Sequence, residues 1–238
     1  LNTLDYDRWN DKTEKDPKWI NTYGKGFERL KALRADEDSD KRFNFDVLMA
    51  NPPFAGDIKE SRLLHQYEFG FKSDGRTAQS KVGRDILFIE RNLDFLKPGG
   101  RMAIVLPQGR FNNTSDKQIR DFISEHGRIL AVIGLHGNTF KPHTGTKTSV
   151  LFVQKWHDEL CPKVEDYPIF FAVSEQGGKD NSGDYIYVKN SNGQYKLDHN
   201  GHLIVDHDLH NHDGMLQNGI AEAFIEWAKT ENFSFWLE

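Results

Sequence analysis

The residues with the clearest chemical potential are Asn51-Pro52-Pro53-Phe54, which follow the apolar run 45–50. The run is short and rich in residues that favour β-structure, so it predicts a buried strand. Two consecutive prolines cannot continue a hydrogen-bonded ladder, and the strand is therefore expected to stop at Asn51. This places a polar side chain, a proline carbonyl and an aromatic ring at the carboxyl end of a strand, where ligands bind in open α/β sheets.

These groups suit nucleophilic attack by the exocyclic amino group of a base, whose lone pair is normally delocalised into the ring. If the Asn51 side-chain oxygen and the Pro52 backbone oxygen accept both N–H bonds, they favour the tetrahedral nitrogen that attacks a methyl group. The Phe54 ring would stack on a flipped base, a contact worth about 1–3 kcal/mol per base. The alternative interpretation is a strand that ends in an ordinary proline turn.

The elements that must position this motif follow it in the chain. Apolar residues at helical spacing, Ile86, Ile89, Leu93 and Leu96 with Phe88 beside them, predict a helix over 85–96. Lys97-Pro98-Gly99-Gly100 ends the helix, and residues 101–107 predict a buried strand. A right-handed crossover would place strands 45–50 and 101–107 side by side and parallel.

Further along, the pattern predicts a second helix over 115–125, capped by Ser115 or Thr114. Strands are predicted over 129–135 and 149–154. Because no helix fits between them, these two strands should pair as an antiparallel hairpin. The prediction for the whole is an α/β fold.

The flanking segments carry less chemistry. A helix is predicted over 25–35, and the long polar stretch 56–83 is either a loop that orders over a ligand or a disordered insertion. Strands over 167–173 and 185–188 predict a hairpin, followed by a helix over 219–230. Phe233, Phe235 and Trp236 are either core residues or a protein-facing patch. Five histidines between 199 and 212 fit no compact ligand pattern, so we predict a polar loop and no metal site.

The tetrapeptide resembles motif IV of the amino-methyltransferases that use S-adenosylmethionine. More widely, residues 43–156 resemble the modification subunit of type I restriction–modification systems, an N6-adenine DNA methyltransferase. The stretches that carry this resemblance are 45–54, 85–107 and 129–155. It implies a partial Rossmann-like sheet of parallel strands with an antiparallel final hairpin, and a small α+β C-terminal extension. The implied divisions are 1–44, 45–156 and 157–238.

The resemblance also implies a function. Adenine in DNA is the implied substrate, S-adenosylmethionine the implied cofactor, and the specificity and restriction subunits the implied partners. Phe140 is the candidate for a second ring that sandwiches the base. Protein-glutamine and RNA methyltransferases share the motif, and a non-catalytic scaffold that binds a specificity subunit is the alternative from another class.

One departure from the family pattern stands out. The glycine-rich cofactor turn that precedes the proline motif in this family is missing, and only 44 residues precede the strand at Phe45. We therefore expect a C-terminal part of the subunit that is inactive alone, and we assign no cofactor-binding residues.

Composition sets broad limits on the protein class. The net charge is −5 and charged residues make up 28% of the chain, which is typical of globular proteins. A basic central segment, 97–157, precedes an acidic section, 158–238, which is compatible with a DNA-facing cleft or with ordinary variation in surface charge. The single cysteine, Cys161, and the lack of a long apolar run favour a cytoplasmic protein without a membrane span.

Overall fold

The computed structural model describes residues 3–5, 17–35, 43–212, 219–233 and 235. The chain divides into two compact units, Leu1–Met102 and Ala103–Glu238. The helices in chain order are α1 (Pro17–Ala35), α2 (Ser61–Leu64), α3 (Arg84–Phe95), α4 (Gly109–Asn112), α5 (Lys117–His126) and α6 (Ile220–Thr230). The strands are β1 (Phe45–Ala50), β2 (Asp57–Ile58), β3 (Val82–Gly83), β4 (Leu96–Pro107), β5 (Gly127–Gly134), β6 (Thr148–Lys155) and β7 (Phe170–Val173).

Five strands form one sheet in the order β1-β4-β6-β5-β7, and β2 pairs with β3 in a small second sheet. This confirms the predicted α/β class, with a mostly parallel central sheet. β1 and β4 are neighbours, as the crossover rule predicted. β5 and β6 pair antiparallel from Gly127 opposite Lys155 to Gly134 opposite Ser149, with an irregularity between Ile129 and Ala131.

The predicted burial of β1 is wrong. Leu48 and Ala50 are half-buried, whereas Val47 and Met49 are 54% and 83% exposed. This alternation is the pattern of a strand with one covered face, because successive side chains point to opposite faces of a sheet. The apolar composition of the run was therefore a poor guide to burial here.

α3 confirms the strongest predicted helix, and its bounds lie within one residue of the prediction. Ile89 and Leu93 are fully buried as expected, but Leu87 is equally buried and was missed. The helix buries several polar side chains as well, so its buried surface extends well beyond the predicted stripe. α1 also begins earlier than predicted, at Pro17.

The polar stretch 56–83 is folded, so the disordered-insertion interpretation is wrong. It contains β2, α2, a 3₁₀ turn at Glu68–Gly70 and β3, and it buries Leu63, Leu64 and Tyr67.

The turn that begins at Asp74, within this stretch, has its own hydrogen bonds. The Asp74 carboxylate accepts them from the backbone N–H groups of Arg76 and Thr77 and from the Thr77 hydroxyl. These bonds, led by the Thr77 hydroxyl, lower the pKa of Asp74 to about 2.

In the second unit, α5 confirms the predicted second helix and packs on β5 with Ile119, Phe122 and Ile123 buried. The predicted cap is wrong. The helix begins at Lys117 after a 3₁₀ turn over Thr114–Asp116, and its N-cap residue Asp116 makes no side-chain capping bond.

The predicted hairpin of 167–173 with 185–188 is also wrong. β7 pairs with β5 in parallel, from Phe170 opposite Ala131 to Val173 opposite Gly134, and so extends the central sheet. Tyr185 and Tyr187 instead form bridges with Lys179 and Val205, within a series of turns over 177–207. The hairpin of β5 and β6 is therefore not the last part of the sheet. The bounds 157–238 for the C-terminal extension stay a prediction.

α6 begins at Ile220, close to its predicted start, and packs on the second unit's sheet. Its Ala228 forms a buried cluster with Leu130 and Phe233, flanked by Phe152, Phe224, Trp227 and Phe235. Phe233 is thus a core residue and not part of a protein-facing patch, while Trp236 lies outside the described residues.

Candidate active site

The motif residues form the connection between β1 and β2. β1 ends at Ala50, as the two prolines predicted. Asn51 and Pro53 are exposed, Pro52 is buried and Phe54 is half-buried. Pro52 is therefore packed inside the protein, whereas the Asn51 side chain faces solvent.

The connection is fixed at its far end. The Gly56 carbonyl accepts a hydrogen bond of 3.0 Å from the backbone N–H of Arg84, the first residue of α3. Gly56 has a φ of +97°, a conformation that favours glycine because it has no Cβ. Directly after it, Asp57 pairs with Gly83 in the small sheet. The motif therefore runs between the end of β1 and an anchor at the start of α3.

The Asn51 side chain is chemically available. In the described parts of the chain, no hydrogen bond engages its amide group. Its carbonyl oxygen can therefore accept from a ligand without breaking a hydrogen bond to any of the described residues. Because Pro52 is buried next to Asn51 and proline has a fixed φ, the backbone here has little freedom to move the Asn51 side-chain oxygen away from a ligand.

α3 also holds the segment that follows the motif. The buried Glu90 carboxylate accepts backbone N–H bonds from Glu68 at 2.7 Å and from Phe69 at 3.1 Å. The neighbouring Arg91 donates through Nε to the Tyr67 hydroxyl at 2.9 Å, and this hydroxyl donates to the Leu4 carbonyl at 2.8 Å. Sequence reasoning missed these residues, because Glu90 and Arg91 are two of the five charged residues of α3 and no local signal marks them as buried.

Replacing Glu90 by glutamine should change how stability depends on pH. Burial raises the pKa of Glu90 above its ordinary value of 4.5, against the two backbone N–H bonds that lower it. Between 4.5 and the raised value, the folded chain keeps a proton that the unfolded chain releases. The free energy of unfolding of the parent protein therefore falls as pH rises through this window. Glu90→Gln cannot titrate and should lack this fall.

Chemical denaturation of both proteins at a series of pH values from 4 upward measures the difference. Parallel curves for the two proteins would contradict a raised pKa of Glu90. Circular dichroism at pH 7 is the control that the Glu90→Gln protein is folded.

The other predicted stacking residue, Phe140, lies in the second unit. It is half-buried in the loop between β5 and β6, where its carbonyl accepts a bond of 3.1 Å from the backbone N–H of Thr144. The next peptide bond, Lys141–Pro142, is cis. Asn51, Pro52, Pro53 and Phe54 are contiguous in the first unit, so Phe140 is the one predicted site residue outside it, and its role stays a prediction.

Comparison with known proteins gives the family. Residues 11–197 match the family described as N-6 DNA Methylase, which is more than half of the 238 residues. The chain belongs to this family. The proline motif and α3 both lie within the matched region of this N-6 DNA methylase chain.

Individual relatives agree with the family. The type I restriction enzyme EcoEI methylase subunit of Escherichia coli is 30% identical over 111 residues, which are 46% of this chain and 21% of that protein. The type II restriction enzyme and methyltransferase RM.Eco57I of the same organism is 26% identical over 113 residues, 48% of this chain and 11% of the relative. This N-6 DNA methylase chain therefore spans about a fifth or less of these relatives' length.

Among solved structures, a type I restriction-modification system methyltransferase subunit from Streptococcus thermophilus is similar to this chain. The two are 30% identical, with a TM-score of 0.39, and the match covers 52% of this chain and 26% of the other. In the described residues, no helix of this family member is both long and apolar enough to cross a membrane.

Proposed function

We propose that this chain carries the part of an N6-adenine DNA methyltransferase active site that binds the adenine amino group, which receives the methyl group. The observation that supports this most is the exposed Asn51 amide at the end of β1, which makes no hydrogen bond to the described residues and lies on a connection that is anchored at Gly56. Membership of the N-6 DNA methylase family supports the same reaction.

Each residue of the motif would have its own role in binding adenine. The Asn51 side-chain oxygen and the Pro52 carbonyl accept the two N–H bonds of the adenine amino group, which moves electron density onto its nitrogen. The Phe54 ring offers a face to the flipped base, and Phe140 is proposed for the opposite face. Pro53 cannot donate a hydrogen bond, so its backbone does not compete for these oxygens.

The cofactor that we propose is S-adenosylmethionine, which supplies the methyl group. The described residues do not fit a complete site for it. Nucleotide-type cofactors sit on a glycine-rich turn between a strand and the helix that follows it. Of the described glycines with positive φ, Gly56 alone lies in the connection from β1 to α2, and the four after β7 are spread singly over the turns at 177–207, so none of them forms a glycine-rich turn between a strand and a helix. We therefore assign this chain the binding of the base only.

The proposed partners are DNA and the specificity and restriction subunits of a type I system, in the cytoplasm. The relation to a type I methylase subunit supports these partners. The excess of Lys and Arg between 97 and 157 supports a surface that faces phosphates.

The experiment is a methyl-transfer assay on the complete polypeptide that contains this sequence, with the 238-residue chain in parallel. Isotope-labelled S-adenosylmethionine is supplied with unmethylated DNA, with RNA, or with a glutamine-containing protein. Nucleosides and peptides are then analysed by mass spectrometry. We expect N6-methyladenine in DNA from the complete polypeptide only. Label confined to RNA or to a glutamine side chain would overturn the proposal in favour of those acceptors.

A further inference from the structure

The rings of three histidines that are not adjacent in the sequence come together near the start of α6. His207, His210 and His212 have ring nitrogens that all lie within 4.8 Å of one another. Their ring centroids are 4.5 to 4.7 Å apart. His199 and His202 lie in a separate turn, so only part of the histidine-rich stretch converges. The spacing along the chain, which argued for a polar loop, gave no sign of this cluster.

The distances suit adjacent ligands of one ion. Nε2 of His207 lies 2.9 Å from Nε2 of His212. Imidazole nitrogens bind zinc at about 2.0–2.1 Å, so two neighbouring ligands lie roughly 2.9 to 3.4 Å apart for bond angles between a right angle and the tetrahedral value. His210 is exposed, and its ring nitrogen lies within 4.8 Å of those of His207 and His212.

Hydrogen bonds prepare the third ring for this role. Nδ1 of His210 lies 3.2 Å from the Asn211 carbonyl oxygen, which only accepts, so Nδ1 carries the proton and leaves the lone pair on Nε2. Nδ1 of His207 accepts a long bond of 3.3 Å from the Leu209 N–H. Binding an ion through Nε2 would move the His207 proton to Nδ1 at the expense of that single weak contact.

The backbone that carries these rings is held on two sides. The Asp208 carboxylate accepts from the Ser174 hydroxyl at 2.6 Å and from the Glu175 N–H at 2.7 Å. On the other side, the Glu222 carboxylate of α6 accepts from the Asn211 N–H at 3.0 Å. The Ala221 N–H also donates to the Leu209 carbonyl at 2.9 Å. The loop is therefore fixed before any ion binds, and Asp208 is occupied elsewhere.

We propose that His207, His210 and His212 bind one Zn²⁺ ion, with water at the remaining position. Neutral imidazole is a ligand that zinc, cobalt and nickel share, so Co²⁺ should occupy the same site. The ion would tie the 207–212 loop together where it meets the start of α6. This proposal does not rest on the proposed methyl transfer, because it uses no residue of the proline motif.

The test is a calorimetric titration of the 238-residue chain, purified without a histidine tag, with Zn²⁺, and a parallel titration with Co²⁺ followed by visible absorption. We expect one ion per chain and the absorption bands of cobalt bound by imidazole. His210→Gln and His212→Gln each remove one ligand. Each should weaken binding by at least about 10- to 100-fold, the range that even outer-shell changes cause.

His202→Gln is the matched control, because His202 is exposed, lies in the same histidine-rich stretch and pairs with Asp198 in a separate turn. It should bind zinc as the parent chain does. Circular dichroism without metal shows whether each variant is folded. If the chain binds no stoichiometric ion, or if His202→Gln weakens binding as much as the folded His210→Gln protein, the proposal is wrong.

Discussion

Replacing Asn51 by alanine in the complete polypeptide is expected to lower kcat for methyl transfer to adenine by about 10²–10³-fold. This is the loss that follows removal of one preorganised hydrogen-bonding group from a developing charge. The Asn51 side chain makes no hydrogen bond within the described protein, so the effect should not come from unfolding. A radiometric assay of steady-state methylation measures kcat, and the free energy of unfolding should stay within about 0.5 kcal/mol of the parent value.

Two further variants sharpen this prediction. Asn200→Ala removes another exposed asparagine, at the tip of the 198–202 turn, and should leave the methylation rate unchanged. Asn51→Asp keeps an oxygen acceptor and should retain more activity than Asn51→Ala. Unchanged methylation by Asn51→Ala would end the catalytic role proposed for this residue and favour a scaffold.

Replacing Leu87 by alanine is expected to cost about 2–5 kcal/mol of folding free energy. Leu87 is fully buried in α3, at 0% exposure, so truncation removes apolar contacts and leaves a cavity. α3 also holds Gly56 and, through Glu90, the segment after the motif, so the site should lose its anchor as the helix is destabilised. Urea denaturation followed by circular dichroism measures the change.

Leu197→Ala is the matched control, because it removes the same atoms from a side chain that is 57% exposed. Its cost should lie within about 0.5 kcal/mol of zero. Equal costs for the two substitutions would show that α3 does not form the core of the first unit as described.

Sequence patterns predicted the elements that have a clear hydrophobic period or a clear stop. α3, the end of β1 before the two prolines, and the antiparallel pair of β5 and β6 all follow from local signals. These are cases in which the residues that decide the structure are neighbours in the chain. The proposal of Asn51 as a site residue, which stays a prediction, rests on the same kind of signal, because the stop signal and the polar side chain are adjacent.

What escaped prediction depends on contacts between distant residues. The apolar run of β1 does not reveal that one of its faces is exposed. Likewise, the burial of Glu90 depends on its partners Glu68 and Phe69, more than 20 positions away. The pairing of β7 with β5 also depends on how the chain folds back. The convergence of His207, His210 and His212 depends instead on the conformation of the loop that carries them, which their spacing does not reveal.

The position of α6 has a consequence for experiments on assembly. The rings of Phe224 and Trp227 lie 5.5 and 5.6 Å from that of Phe170 in β7, and Phe224 also stacks on Phe152 in β6. A truncation that removes residues 219–238 would therefore strip the aromatic cover from the sheet as well as any partner-binding surface. Loss of subunit assembly in such a truncated protein would report misfolding as readily as a lost interface. Charge substitutions at exposed positions such as Glu226 keep the fold and separate the two causes.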